Sequence, residues 1–516
     1  MKNFGTRIIT FIKNYKKEAL LTSFFTLLNL VFLGLSFAKT KCNSFWVLIV
    51  LAILSIALEI VSCFFIFRFK KNNWKIEKLF LILGLLIGIF YVFVIPVGRA
   101  PDEESHFFRV YELSRGNFVT ATHTEDGYTG SVGPSNVDKT VRSISKQNAT
   151  YKDMLHYSTI QADPSDEKII ITSAYGYNIL NYLPQTIGMT IGNTFNLPFI
   201  MSGYIAKLFN LVTCIIILFY CIKYIPILKK FIFFIAFLPS TMQAMASLSV
   251  DGLIFAAAIA LISFVLYARY SLKKPLTNKQ LLLSLIICIF LSAGKIVYGL
   301  LCLLLFAIPK ERFVNNKRKI ITIFLIGSIT LAVTLIWFLI KPSSVPATDS
   351  AAQISTIINT PLRFSGIMLN SLSTFATLYI GGALGQYLEW FNVVLSPIYV
   401  VLCYTVMVIL INDARQTFRI NRVFKNILIW SSLVIFLSTF VFMFITWTKT
   451  GESLIDGIQG RYFLPILPAI PVAFITVQKD KKSHLIKPES LRNTFFYIII
   501  ISVSVYALLT IACSHI

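Results

Sequence analysis

Residues 78–116 read KLFLILGLLIGIFYVFVIPVGRAPDEESHFFRVYELSRG. The twenty residues before Gly98 are almost wholly apolar, and at about 1.5 Å of rise each they make a helix about 30 Å long, enough to cross the hydrocarbon of a bilayer. Directly behind that run stand the acids Asp102, Glu103 and Glu104, then His106, among the arginines Arg99, Arg109 and Arg115. A span that empties into a dense charged segment sets the fold class and the place to look for chemistry.

Apolar runs of this length recur through the 516 residues, of which 56% are hydrophobic and 14% charged. The chain therefore reads as an all-α polytopic membrane protein. Its formal charge of +24 comes from lysines and arginines gathered in short tracts between apolar runs, the pattern that orients membrane helices with basic loops in the cytoplasm. Nucleic acid is not an expected partner. Cys63, Cys214, Cys221, Cys288, Cys302 and Cys403 lie within apolar runs, while Cys42 and Cys513, expected to face outward, have no disulfide or metal spacing. Neither redox nor zinc chemistry follows. With no GxxxxGK[ST] loop and no GxGxxG turn, an ATP-driven transporter is disfavoured.

Pairing apolar runs with basic tracts predicts spans at residues 20–38, 45–68, 78–97, 199–223, 230–247, 253–270, 319–340, 391–412, 425–446, 463–478 and 494–512. Residues 281–309 are as long as one span but carry basic tracts at both ends, so they call for a re-entrant hairpin turning near Lys295. Counting it as two gives about 13 transmembrane helices (11 to 13). The expected layout is a cytoplasmic interfacial N-terminus and an extra hairpin over 1–77, a transmembrane core over 78–478, and a cytoplasmic loop with the last span over 479–516. Extracytoplasmic loops fall at 98–182, 341–390 and 447–462, on a multi-pass protein of the plasma membrane. The first of these loops holds eleven of the chain's 23 acids and three of its five histidines, so polar chemistry is expected there.

PDEESHFFRVYELSRG has the grammar of a short juxtamembrane helix, with Pro101 in the first turn, acids at the N-terminal end and Gly116 as a stop. Phe107, Val110 and Tyr111 would let it lie on the membrane surface. That account explains every charge without a function. The functional account starts from Asp102, His106 and Arg109, which fall at i, i+4 and i+7 on one face. A carboxylate held there can act as general base on a sugar hydroxyl while cations bind a phosphate. Alternatively, Asp102 and His106, with Glu103 or Glu104, can hold a divalent metal.

The order Pro101-Asp102-Glu103, His106, Arg109, Gly116 resembles the first-loop motif of the domain-of-unknown-function family 2142 of predicted bacterial membrane proteins. SLSVDGL (247–253) behind LPS (238–240), AGKIVYGLL (293–301) and QGRYFLPILP (459–468) are similar to its later motifs, in the same order. The extra pair of spans before residue 78 and the triple acid depart from the pattern. That family in turn resembles the GT-C class of integral-membrane glycosyltransferases. The resemblance implies a catalytic base in the first outer loop, Asp102 or Glu103, with Asp102 favoured by its alignment with His106 and Arg109. It also implies a polyprenyl-phosphate-linked sugar as donor and an extracytoplasmic glycan, such as a cell-wall or surface polymer, as acceptor. Arg109, Lys295 and Arg461 become the expected phosphate-binding cations.

Each further position has a plain reading beside the functional one. Asp251 in SVDG can cap the next span or orient a sugar or a cation. A lysine in the middle of a plain span costs about 2.5 to 3.5 kcal/mol, so Lys295 is expected either at a hairpin tip or on a partner, with Tyr298 sharing it. Arg461 and Tyr462 can anchor an interface or grip a phosphate, Gly460 allowing close approach. Glu389 beside Trp390 can bind a sugar or belong to an aromatic belt. Tyr175, Tyr177 and Tyr182 can form a membrane rim or an acceptor groove. The leading expectation is a membrane glycosyltransferase, with a divalent metal as the one candidate cofactor. The alternatives are a transporter or flippase of lipid-linked sugars or polymer, and a non-catalytic assembly subunit.

Overall fold

The computed structural model describes residues 16–40, 42, 44–118, 122–123, 129–146, 149–341, 348–478 and 494–516. Residues 1–15 of the expected interfacial segment 1–20, the acids Glu125 and Asp126, and the basic tract from Lys479 to Lys487 lie outside the described residues, while residues 16–20 begin the first membrane helix.

Among the described residues ten helices are long and apolar enough to cross a membrane: Lys16–Phe37, Phe45–Lys71, Ile76–Val94, Phe199–Tyr224, Asp251–Tyr270, Asn316–Ile340, Pro361–Leu384, Pro397–Thr417, Arg422–Thr446 and Phe495–Ser514. The protein is an all-α polytopic membrane protein. The apolar windows of Asp251–Tyr270 and Phe495–Ser514 are each 83% buried, against 17% for Lys16–Phe37, so the former pair forms the centre and the latter the rim. Asp251–Tyr270 packs on Phe199–Tyr224, which packs in turn on Ile76–Val94 and on the shorter Leu183–Thr194. Lys16–Phe37 and Phe45–Lys71 pack on each other and on Phe495–Ser514, where Asn29 Nδ2 donates to the Ser502 carbonyl at 2.9 Å. Cys513, expected to face outward, is buried at the end of that last helix.

Three apolar segments differ from expectation, each for a local reason. Residues 230–247 are not one span but two short helices, Lys229–Ala236 and Pro239–Met245, because Pro239 forces Leu238 into an extended conformation (φ −59°, ψ 135°). Prolines likewise divide 463–478 into a 3₁₀ segment, Gly460–Ile466, and a six-residue helix, Ala469–Phe474. Conversely, the interval 341–390, expected as a loop, contains the 24-residue helix Pro361–Leu384. Its hydropathy of 1.3 is the lowest of the ten, since serines, threonines and Arg363 dilute it.

The 281–309 segment forms the helix Asn278–Gly294 followed by a 3₁₀ run, Ile296–Ala307, packed back against it with Lys295 between them. Small antiparallel pairings decorate the connections. Thr122–His123, Thr129–Pro134 and Glu167–Ile170 make a three-stranded sheet, and Tyr387–Leu388 pairs with Val393–Val394 in the register Tyr387↔Val394.

Candidate active site

The opening charged segment forms the helix Glu103–Ser114, closed by Gly116 in a left-handed conformation (φ 85°). This helix does not lie on a membrane surface. Phe107, Val110, Glu103 and Arg109 are all 0% exposed, and the helix packs on Leu183–Thr194. Asp102 occupies the N-cap position in a left-handed conformation (φ 61°, ψ 5°) and makes no cap hydrogen bond. Asp tolerates that region better than most residues, and the twist aims its side chain out of the helix. Its Oδ2 accepts from Arg461 Nη2.

Arg461 joins two acids, because its Nε also donates to Asp251 Oδ2 at 2.8 Å. Asp251 Oδ1 accepts from Lys295 Nζ at 2.6 Å. Lys295 lies 4.1 Å above the Tyr462 ring, and Tyr298 Oη donates to the Tyr462 carbonyl at 2.6 Å. Asp102, Asp251, Lys295, Tyr298, Arg461 and Tyr462, drawn from four distant stretches, thus form one continuous network. Its two carboxylates balance its two cations. Exposure is uneven along it: the side chains are 35% exposed at Asp102, 17% at Lys295 and 9% at Asp251 and Arg461.

The network borders a cavity of about 530 Å³. Asp102, His106, Tyr177, Lys295, Tyr298 and Tyr462 line its polar end, and Trp337, Phe338, Phe375, Leu378, Phe442 and Met443 line an apolar remainder. Lys341 and Asp456 also face it. Burial holds the His106 imidazole down at about 4, against the opposing pull of Asp251 and Asp102, so the ring is neutral at pH 7. Burial pushes the phenols of Tyr177 and Tyr182 well above their usual range.

Several expected site residues are placed elsewhere. Glu103 turns inward: its Oε2 accepts from the backbone N–H groups of Gly98 (2.9 Å) and Ala100 (3.1 Å), and its Oε1 from Leu248 N (2.9 Å). It therefore ties the first motif to the loop before Asp251 and is not aligned with Asp102. Arg109 does not reach the network. It pairs with Glu112 at 2.8 Å and lies 5.2 Å from the Tyr175 ring, so the i, i+4, i+7 convergence stops at His106. Glu104 pairs with Arg142, and among the described residues no three His, Cys, Asp or Glu side chains gather as a metal site. The Asp102, Glu103, His106 ligand set is thus not assembled, because Glu103 is committed to backbone donors. Glu389 sits in a separate buried cluster, on Arg99 at 3.0 Å and His515 at 2.5 Å, while its neighbour Trp390 lines the cavity.

Gly460 also serves differently than expected. A Cβ there would stand 2.2 Å from Ala383 N and 2.4 Å from the Tyr379 carbonyl, so the missing side chain lets the Arg461 segment pack on the end of the Pro361–Leu384 helix. Gln185 and Asn210, for which no role was expected, are both buried. Asn210 Nδ2 donates to the Ser247 carbonyl at 2.7 Å, and Gln185 Nε2 reaches the Leu248 and Ser249 carbonyls at 3.5 and 3.4 Å. Together with Glu103 they hold the loop that presents Asp251. A polar residue inside an apolar span is the signal that marks Asn210, whereas Gln185 is one of several polar residues in Leu183–Thr194 and carries no such mark.

The family described as "Predicted membrane protein (DUF2142)" matches residues 85–470. The chain belongs to it. No curated protein and no solved structure matches the chain. The DUF2142 region contains the entire network from Asp102 to Tyr462 and the walls of its cavity. Lys16–Phe37, Phe45–Lys71 and Phe495–Ser514, which pack on one another, fall outside it.

Proposed function

We propose that this protein is a membrane glycosyltransferase of GT-C-like architecture that moves a sugar from a polyprenyl-phosphate donor to an extracytoplasmic glycan acceptor. The observation that carries the reading is that Asp102 and Lys295, joined through Asp251 and Arg461 in one network, face a cavity whose other walls are mostly apolar. A lipid-linked phosphate needs both environments. In this reading the cavity opens to the cell exterior in the plasma membrane, because the basic tracts then lie in the cytoplasm with the N-terminus.

Asp102 is the base of choice, being the more exposed of the two acids, with Arg461 on Oδ2 and no partner on Oδ1 among the described residues. Oδ1 takes the proton of an acceptor hydroxyl as its oxygen bonds to the anomeric carbon. The bond from that carbon to the phosphate oxygen breaks, and its electron pair leaves with the polyprenyl phosphate, stabilised by Lys295 and Arg461. Asp251, with both oxygens occupied, orients these two cations rather than exchanging protons.

The test uses the purified protein in lipid nanodiscs with a panel of radiolabelled polyprenyl-phosphate sugars and cell-wall glycan acceptors. Label should pass to the acceptor and should cease to do so with Asp102→Asn. Full activity of that variant would remove Asp102 as base. Movement of lipid-linked sugar across proteoliposomes without any transfer would instead establish the transporter reading.

A further inference from the structure

His106 stands beside the network without being part of its charge balance. Nδ1 lies 2.6 Å from Tyr182 Oη, and the ring stacks obliquely on Tyr177 at 5.3 Å. His106 is 2% exposed and Tyr182 0%. Tyr182 is itself fixed, at the end of a 3₁₀ turn that Asn178 caps and that Asn181 Nδ2 pins to the Phe290 carbonyl at 3.0 Å.

The proton positions in this pair follow from donor accounting. A phenol carries one hydrogen, and a buried hydroxyl left without an acceptor costs about 1 to 3 kcal/mol. Among the described residues the one hydrogen-bond partner of Tyr182 Oη is His106 Nδ1. The phenol therefore donates to Nδ1, and a neutral imidazole whose Nδ1 accepts must carry its own hydrogen on Nε2. Nε2 has no partner among the described residues, and the ring lines the cavity. Burial, which keeps the ring neutral near pH 7, agrees with this arrangement.

We infer that His106 is a neutral Nε2–H hydrogen-bond donor for an anionic phosphoryl oxygen in the cavity, with Tyr182 as the positioning residue that fixes its tautomer. It is then neither a base nor a metal ligand through Nε2. The charge balance gives the reason for such a donor. Lys295 and Arg461 already share their charge with Asp251 and Asp102, so a fixed neutral N–H beside them adds a donor to the phosphate they hold without changing the balance of charge. The choice of a phosphoryl oxygen rests on the proposed lipid-phosphate site.

Nitrogen-15 NMR of histidine-labelled protein in nanodiscs tests this, His106→Asn identifying the resonance among five histidines. His106 should show a protonated Nε2 and a bare Nδ1 at pH 7. Tyr182→Phe, which removes the donor with little change in shape, should convert this to a mixture of tautomers. A polyprenyl monophosphate added to the nanodiscs should shift the Nε2–H signal. His106→Ala should weaken binding of that lipid at least about tenfold, and His106→Asn, which keeps an N–H, by less. A protonated Nδ1 in the wild type would overturn the inference, as would an Nε2–H signal unmoved by the lipid. Loss of the glycosyl-transfer reading alone would leave a shifted Nε2–H with no sugar transferred, so the two failures are distinguishable.

Discussion

The first motif feeds two charge clusters: Arg99 enters one and Asp102, three residues on, enters the other. Arg99, Glu389 and His515 are 1 to 2% exposed and tie the Tyr387–Val394 hairpin to the end of the Phe495–Ser514 helix. Asp102, Asp251, Lys295 and Arg461 use the same kinds of groups at similar distances, but Asp102 and Lys295 remain partly open to a large cavity. Ion pairing is common to both clusters, and access is what separates them. A sealed charge that loses its partner has no solvent to turn to, whereas an open one can exchange its partner for a ligand.

The comparison predicts opposite mutational signatures. The largest effect is expected from Asp102→Asn, which should lower sugar transfer by about 10²- to 10⁴-fold, the usual contribution of a general base. Its unfolding free energy should move by no more than about 1 kcal/mol, because the carboxylate is one-third exposed. Arg99→Ala should reverse the pattern, destabilising the protein by about 3 to 5 kcal/mol, because the sealed Glu389 would keep only its His515 contact. Denaturant unfolding in detergent reads that loss. Equal stability losses in the two variants would erase the distinction between sealed and open clusters.

Within the open cluster, a double-mutant cycle between Asp251→Asn and Lys295→Met should give a coupling of about 1 to 3 kcal/mol, since each partner's orientation depends on the other. Additive effects would mean that the 2.6 Å pair contributes nothing jointly. The last prediction is a pH dependence. His106 titrates at about 4 in the folded protein and near 6.5 when unfolded, so the unfolded state binds the extra proton between those values. Its contribution to stability should be complete above about pH 6.5 and decline as pH falls toward 4. Melting temperature against pH, wild type beside His106→Gln, measures the difference.

Much of this was legible in the residues themselves. Asp102, Asp251, Lys295 and Arg461 are ionisable groups at the ends or interruptions of apolar runs, and such placements are costly without a purpose. Other features were not legible. The Pro361–Leu384 helix is diluted by hydroxyl residues, so hydropathy undersells it. Glu103, one residue from Asp102 and chemically its near equal, points the opposite way, and no local pattern reveals that its carboxylate caps the backbone of Leu248, 145 positions on.

The sequence by itself determined that this is a multi-helix membrane protein and which few polar residues interrupt its apolar runs, because the energy of placing side chains in hydrocarbon is local and additive along the chain. Only the tertiary structure decided which of those polar residues meet. Pairing depends on helix order, rotation and close backbone approach at sites such as Gly460, and these are set by packing among segments hundreds of residues apart.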